Sequence, residues 1–157
     1  MAAFTGTPAS GAAYTDQATA PRVKTTGGKV VQIYDSELYT HALGAGTGEV
    51  NLFSLSGGVY IFFPHLSFVV TTQYAANADL HLGYRAHTAV DGTTTVVDDN
   101  AFADNEDAGG GALSKVLTLP PVALSVRDEV VIYAMIDTGN IEDTDTLRFW
   151  LAGALIR

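Results

Sequence analysis

The chain has 157 residues, no cysteine, and a net charge of −9 from 17 acids against 8 lysines and arginines. The missing cysteines exclude disulfide staples and thiolate metal sites, and so acidic a balance excludes a general nucleic-acid binder, because phosphate contacts need clustered Lys and Arg. Apolar residues make up 47% of the chain, yet no run approaches the roughly 18 consecutive apolar residues of a membrane-spanning helix. The length suits one domain with a real core, and neither a membrane nor a nucleic acid is expected as a partner.

Residues 1–28 are rich in Ala, Thr, Gly, Ser and Pro and show no apolar period. Such a segment cannot bury a core of its own, so it reads as a flexible N-terminal arm ahead of a β-domain spanning 29–157. Its start lacks the basic residues and apolar centre of a secretion signal. Charge is unevenly spread. Residues 1–34 carry Asp16 against Arg22, Lys24 and Lys29, about +2, and the remainder carries about −11. Phe4 and Tyr14 are isolated aromatic anchors in the arm. With Arg22 and Lys24 they are the candidate partner-binding residues.

From residue 29 onward the pattern is that of strands and turns. Residues 29–34 (KVVQIY) are β-rich, and 35–43 fit either a helical turn or continued strand. The glycines at 44, 46 and 48 lack the spacing and following helix of a dinucleotide fingerprint, so they mark a loop. Residues 49–55 alternate, Ser56-Gly57-Gly58 turns the chain, and 59–63 (VYIFF) is an inner strand ended by Pro64. Residues 66–87 read as a hairpin around the small turn at 75–78. In its second half Leu80, Leu82, Tyr84 and Ala86 point inward, and Asp79, His81, Arg85 and His87 point outward.

A short β-branched strand is expected at 93–97. The acidic run 98–107 (DDNAFADNED) is expected as a solvated loop, or one short helix with Ala101, Phe102 and Ala103 tucked inward. After a glycine joint at 109–111, strand character returns at 113–119, and 122–126 looks like a short edge piece. Residues 129–137 and 147–157 are apolar on both faces. Short strands punctuated by turns at this spacing predict an all-β fold, an antiparallel β-sandwich of jelly-roll or Ig-like type. Its core strands are 59–63, 68–74, 80–84 and 130–136. Two-faced apolar strands need a second layer or a neighbour, so a homo-oligomer is expected, a trimer first.

Little in the sequence carries chemistry. The run 98–107 supplies many hard oxygens, but not at the spacing of a helix–loop–helix calcium loop. Asp79, His81, Arg85 and His87 share a strand face, and a metal there would need a third ligand such as His65 or His41. No hydrolase elbow, zinc-protease or phosphate-loop motif is present. No enzyme activity, catalytic residue, cofactor or resident metal is expected.

Four pieces, in order, resemble the small virion structural proteins of tailed bacteriophages. They are ALGAGTGEVNL at 42–52, VYIFFPHLS at 59–67, ADLHLGYRA at 78–86 with Ala101-Phe102-Ala103 downstream, and IDTGN at 136–140. The resemblance implies a head decoration, or cement, protein on the capsid exterior, formed in the host cytoplasm during assembly. Its implied partners are the major capsid protein and further copies of itself, often as a trimer. A host-receptor or glycan-binding module of a head fibre or tail is the alternative. Exposed loop aromatics would favour it, and Tyr39 and Phe102 are the candidates.

Overall fold

Alternating apolar residues, β-branched runs and frequent turn residues leave the chain no amphipathic helix to form, and the strands dominate. The structure, a computed structural model, describes residues 24–26, 29–42 and 46–156. In chain order the strands are β1 (Lys24–Thr26), β2 (Lys29–Asp35), β3 (Tyr39–Thr40), β4 (Glu49–Phe62), β5 (Phe68–Thr71), β6 (Asp79–Tyr84), β7 (His87–Thr88), β8 (Thr94–Thr95), β9 (Asp98–Asp107), β10 (Ser114–Val116), β11 (Val122–Ile136) and β12 (Thr146–Ile156). One 3-10 turn, Pro64–Leu66, links β4 to β5.

Ten strands form one antiparallel sheet, ordered β1-β2-β12-β4-β11-β6-β9, with β3 and β5 also on β12 and β10 beyond β5. The last strand makes this sheet curl. Along one edge of β12, Leu147 to Trp150 pair with β5 and Gly153 to Ile156 pair with β4. Along its other edge lie β3 and then β2. Strand β12 therefore passes from one layer to the other, and the curled sheet becomes an antiparallel β-sandwich. Gly153 permits the passage, since a Cβ there would lie 2.4 Å from the Phe62 ring. Inside, the Phe102 ring meets Phe62 at 5.5 Å and Phe149 at 6.2 Å between centroids. All three side chains are fully buried, as are Leu80, Leu82, Ile132 and Leu151.

The sandwich expectation holds, while several local readings are corrected. Residues 66–87 are not a hairpin. β5 pairs with β10 and β12, whereas β6 lies between β11 and β9. The turn signal was real, with Asn77 at φ +64° and Ala78 N–H bonded to Ala75 C=O. It sends the chain across to the other layer instead of back along β5. Ser56-Gly57-Gly58 does not end a strand either, because it lies within the 14-residue β4 at a bulge opposite Val126 and Glu129. A Cβ on Gly57 would meet the Arg127 carbonyl oxygen at 2.2 Å, so glycine is required by close backbone approach.

Residues 122–126 are the first part of the central 15-residue β11, paired with β4, and not an edge piece. The acidic run 98–107 is strand β9, neither loop nor helix. Its Ala101, Phe102 and Ala103 are buried as expected, because bulges in the β6 pairing turn consecutive residues inward. The expected strands at 93–97 and 113–119 shrink to Thr94–Thr95 and Ser114–Val116. Within the range read as an arm, Lys24–Thr26 pair with β2 as the outermost strand, and residues 1–23 lie outside the described residues.

Candidate interaction surface

The two faces of β2, β12 and β4 follow from alternation. Tyr34, Tyr60, Phe62, Phe149 and Leu151 point inward, where Tyr34 meets Phe53, Tyr60 and Phe62. Their neighbours Ile33, Ile61, Ala154, Val59, Ile156 and Trp150 therefore point outward. The pairing aligns them across the sheet. Ala123, Ile61 and Ala154 form one row, and Ser125, Val59 and Ile156 the next. A third row runs Val116, Phe68, Trp150 and Asp35 over four strands. Val59 is 37% exposed, Ile156 43%, Val116 48% and the nearby Leu66 56%. Together these rows make a largely apolar sheet face on an acidic body, the kind of surface at which interaction sites are sought.

Trp150 is the polar handle of that face. The Arg148 guanidinium sits 4.6 Å from its ring centroid, and Phe68 lies at 5.8 Å on a tilted ring. Arg148 is held in place by a forked bond to Asp35, with Nε donating to Oδ1 at 2.9 Å and Nη2 to Oδ2. The Asp35 hydrogen bond raises the Arg148 pKa further above its ordinary value, against a smaller opposing effect of burial. The pair leaves the patch without net charge. Trp and Arg in such a stack are the residue types that dominate interface energetics.

The outer face of β6 and β11 is polar, and most of its groups are paired, but neither buried ring nitrogen of His81 has a hydrogen-bond partner among the described residues. Arg85 lies 3.8 Å over the Tyr133 ring and bonds Asn51 Oδ1 at 3.2 and 3.1 Å and Glu49 at 2.7 Å. Burial, the largest influence, raises the Tyr133 pKa. His81 and His87, expected on the solvent side, are both buried at 7% exposure. Strand β9 covers His81, whose Nδ1 is 3.4 Å from Asp104 Oδ1. The two ring nitrogens of His87 each lie 3.1 Å from a carbonyl, those of Arg85 and Ser125, and tie the β7–β8 ribbon to β11. His41 meets the Tyr39 hydroxyl at 2.9 Å, and His65 is exposed on the 3-10 turn. The four histidines do not converge, and among the described residues no His or acid cluster could hold a metal ion.

Of the candidate partner-binding residues, Phe4, Tyr14 and Arg22 lie outside the described residues. Lys24 begins β1, opposite Val31. Tyr39 and Phe102, expected as exposed aromatics, are corrected. They are 1% and 0% exposed and belong to the core, because bulged pairing turns Phe102 inward and β3 packs Tyr39 against the sandwich. The Trp150–Arg148–Asp35 group was missed. Its signal was the apolar content on both faces of 147–157, but the Asp35 partner is 113 residues away.

No family model matches the chain, and no curated protein does. Among solved structures it is similar to the VP2 subviral particle of infectious bursal disease virus, with a TM-score of 0.43 and 13% identity over 87% of this chain and 37% of that one. The Gx strain structure of the same virus gives 0.37 and 15% identity, over 86% and 36%. The chain thus spans little more than a third of the length of these structures.

Proposed function

We propose that this protein is a structural component of a bacteriophage particle, a cement protein that decorates and stabilises the outside of the capsid through protein–protein contacts. The observation that carries the reading is the uncharged apolar face around Trp150, Ile61 and Ile156 on a strongly acidic body. Acidic bodies repel one another, so association is favoured on an apolar face whose charges are neutralised. The phage-protein resemblance supplies the setting. The partners in this reading are the major capsid protein and sister copies, with a homotrimer as the unit. Modest contacts repeated over a lattice add together, so no single one need be strong.

The test is binding to heads stripped of this protein. The wild-type chain is expected to bind in many copies and to protect the heads from heat or osmotic shock. The Ile61→Asp/Ile156→Asp variant, folded by circular dichroism, is expected to bind weakly. Location of the protein only at the tail tip or inside the shell overturns the reading.

A further inference from the structure

The β7–β8 ribbon stands apart from the main sheet. It pairs His87 with Thr95 and Thr88 with Thr94 as a separate two-stranded sheet. A ribbon so short has little stability of its own, so its position depends on what fastens it to the body. Ala89 is buried, and Val90 N–H donates to Ser125 Oγ of β11 at 3.2 Å. The other fastening is the buried His87.

Both ring nitrogens of His87 face acceptors. Nδ1 lies 3.1 Å from the Arg85 carbonyl oxygen, and Nε2 lies 3.1 Å from the Ser125 carbonyl oxygen. A neutral imidazole carries one N–H. It can serve only one of these oxygens, and its other nitrogen turns a lone pair toward the second. The imidazolium carries two N–H groups and satisfies both oxygens with charge-assisted bonds. We propose that His87 is a proton-operated latch. Protonated, it holds the ribbon to β11 with both nitrogens engaged; neutral, it gives up one bond and the ribbon loosens.

Charged groups on the surrounding elements leave this role to the carbonyls. Arg85 turns its guanidinium to Glu49 and Asn51. Strand β11 brings Asp128 and Arg127, the latter beside Gly92 at the ribbon tip. The ribbon brings Asp91, which accepts from the Thr93 N–H and hydroxyl. From β9, Asp98 bonds Tyr84, whose ring meets His87 edge-on at 5.4 Å. Strand β4 places the uncharged Val59 opposite Ser125. The latched ribbon uses a proton that the loosened one does not need. Its hold is therefore firm on the acid side of the histidine range and weakens as pH rises through it. The exposed Val90, Val96 and Val97 ride on the ribbon and its flank, so the latch sets how an apolar edge is presented. It belongs to the chain itself and stands whether or not the protein sits on a virion.

The test uses the full chain in nuclear magnetic resonance between about pH 5 and about pH 8, spanning the ordinary histidine titration. At the acid end, two slowly exchanging ring N–H protons are expected for His87, and none for the exposed His65. Amide exchange, corrected for its intrinsic pH dependence, reads the hold on the ribbon through Val90. Tyr74, whose N–H is bonded to the Ala108 carbonyl far along the chain, is the reference. Protection of Val90 relative to Tyr74 is expected to fall about tenfold across the range, as the loss of one hydrogen bond from a charged donor would cause. In His87→Gln, whose amide does not titrate, the ratio is expected to stay flat. If that variant does not fold, the ring spectrum of the wild type decides alone. A single ring N–H on His87 throughout the range overturns the latch. So does Val90 protection that holds constant in the wild type, or that falls equally in His87→Gln.

Discussion

Glu106 of β9 and Lys115 of β10 form an ion pair that joins two edge strands of the curled sheet. The Glu106 side chain is only 12% exposed and faces the same side as Leu80. Removing its partner leaves a carboxylate with little water to replace the bond. Lys115→Ala is expected to cost about 1–3 kcal/mol in urea denaturation at neutral pH. The double variant Glu106→Gln/Lys115→Met should recover part of that loss, since it removes the stranded charge as well.

Phe102 is expected to behave as a core residue and not as a binding residue. It touches Phe62, Tyr84 and Phe149 from within the sandwich. Phe102→Ala should cost roughly 3–5 kcal/mol, as large-to-small changes of buried aromatics do. An unchanged midpoint in chemical denaturation would place the ring at the surface.

Gly83 of β6 lies hard against the backbone of β9. A Cβ there would lie 1.9 Å from the Asp98 carbonyl oxygen and 2.6 Å from the Asp99 Cα. Both obstacles are backbone, so neither can swing aside. Gly83→Ala is expected to lower the melting temperature and to loosen β9, at a cost of about 1–3 kcal/mol or more. Faster amide exchange in β9 than in β4 would identify the strand that gave way.

Alkaline pH should weaken the fold through Tyr34. Burial, with a smaller contribution from the neighbouring Tyr60, pushes its phenol up to about 12. The folded chain holds this proton while the unfolded chain releases it near the ordinary value of about 10. Stability from this group is therefore full below pH 10 and is lost as pH rises toward 12. Tyr34→Phe keeps the ring contacts and removes the proton, so its urea midpoint should fall less steeply over that window. Equal slopes for the two proteins would show that Tyr34 ionises freely.

Calcium is expected to leave the melting temperature unchanged, with or without Asp104→Ala. In strand β9, Asp98 and Asp107 stand at opposite ends of ten residues, about 30 Å apart. Acids spread in this way do not converge on one ion. A rise of many degrees at micromolar calcium, abolished by Asp104→Ala, would contradict this.

Much of the architecture is legible in the sequence because it rests on local pattern. Leu80, Leu82 and Tyr84 point inward as their alternation requires, and β11 and β12 carry the two-faced apolar content of central strands. The errors fall where one residue type serves two purposes. Glycine at 57 and 58 reads equally as a turn or as a bulge beside another backbone, and only the position of Arg127 distinguishes them. The acids of 98–107 conceal a strand because the burial of Ala101 to Ala103 depends on β6. The stacked group of Trp150, Arg148 and Asp35 is joined by pairing of distant segments, which no local spacing encodes.

Strand β12 is made after every strand it pairs with, yet β2, β3, β4 and β5 all depend on its edges. Until it arrives, β5 has only the three-residue β10 for a partner and β2 only β1. The nascent chain must therefore wait with its strand edges open, and closure is a late, non-local event of the kind that folds slowly. Long-range pairing of this order puts the period of greatest aggregation risk just before synthesis of residues 146–156 is complete. Loss of those residues would leave three disconnected pieces of sheet, β1–β2, β5–β10 and β4–β11–β6–β9, rather than a slightly smaller domain.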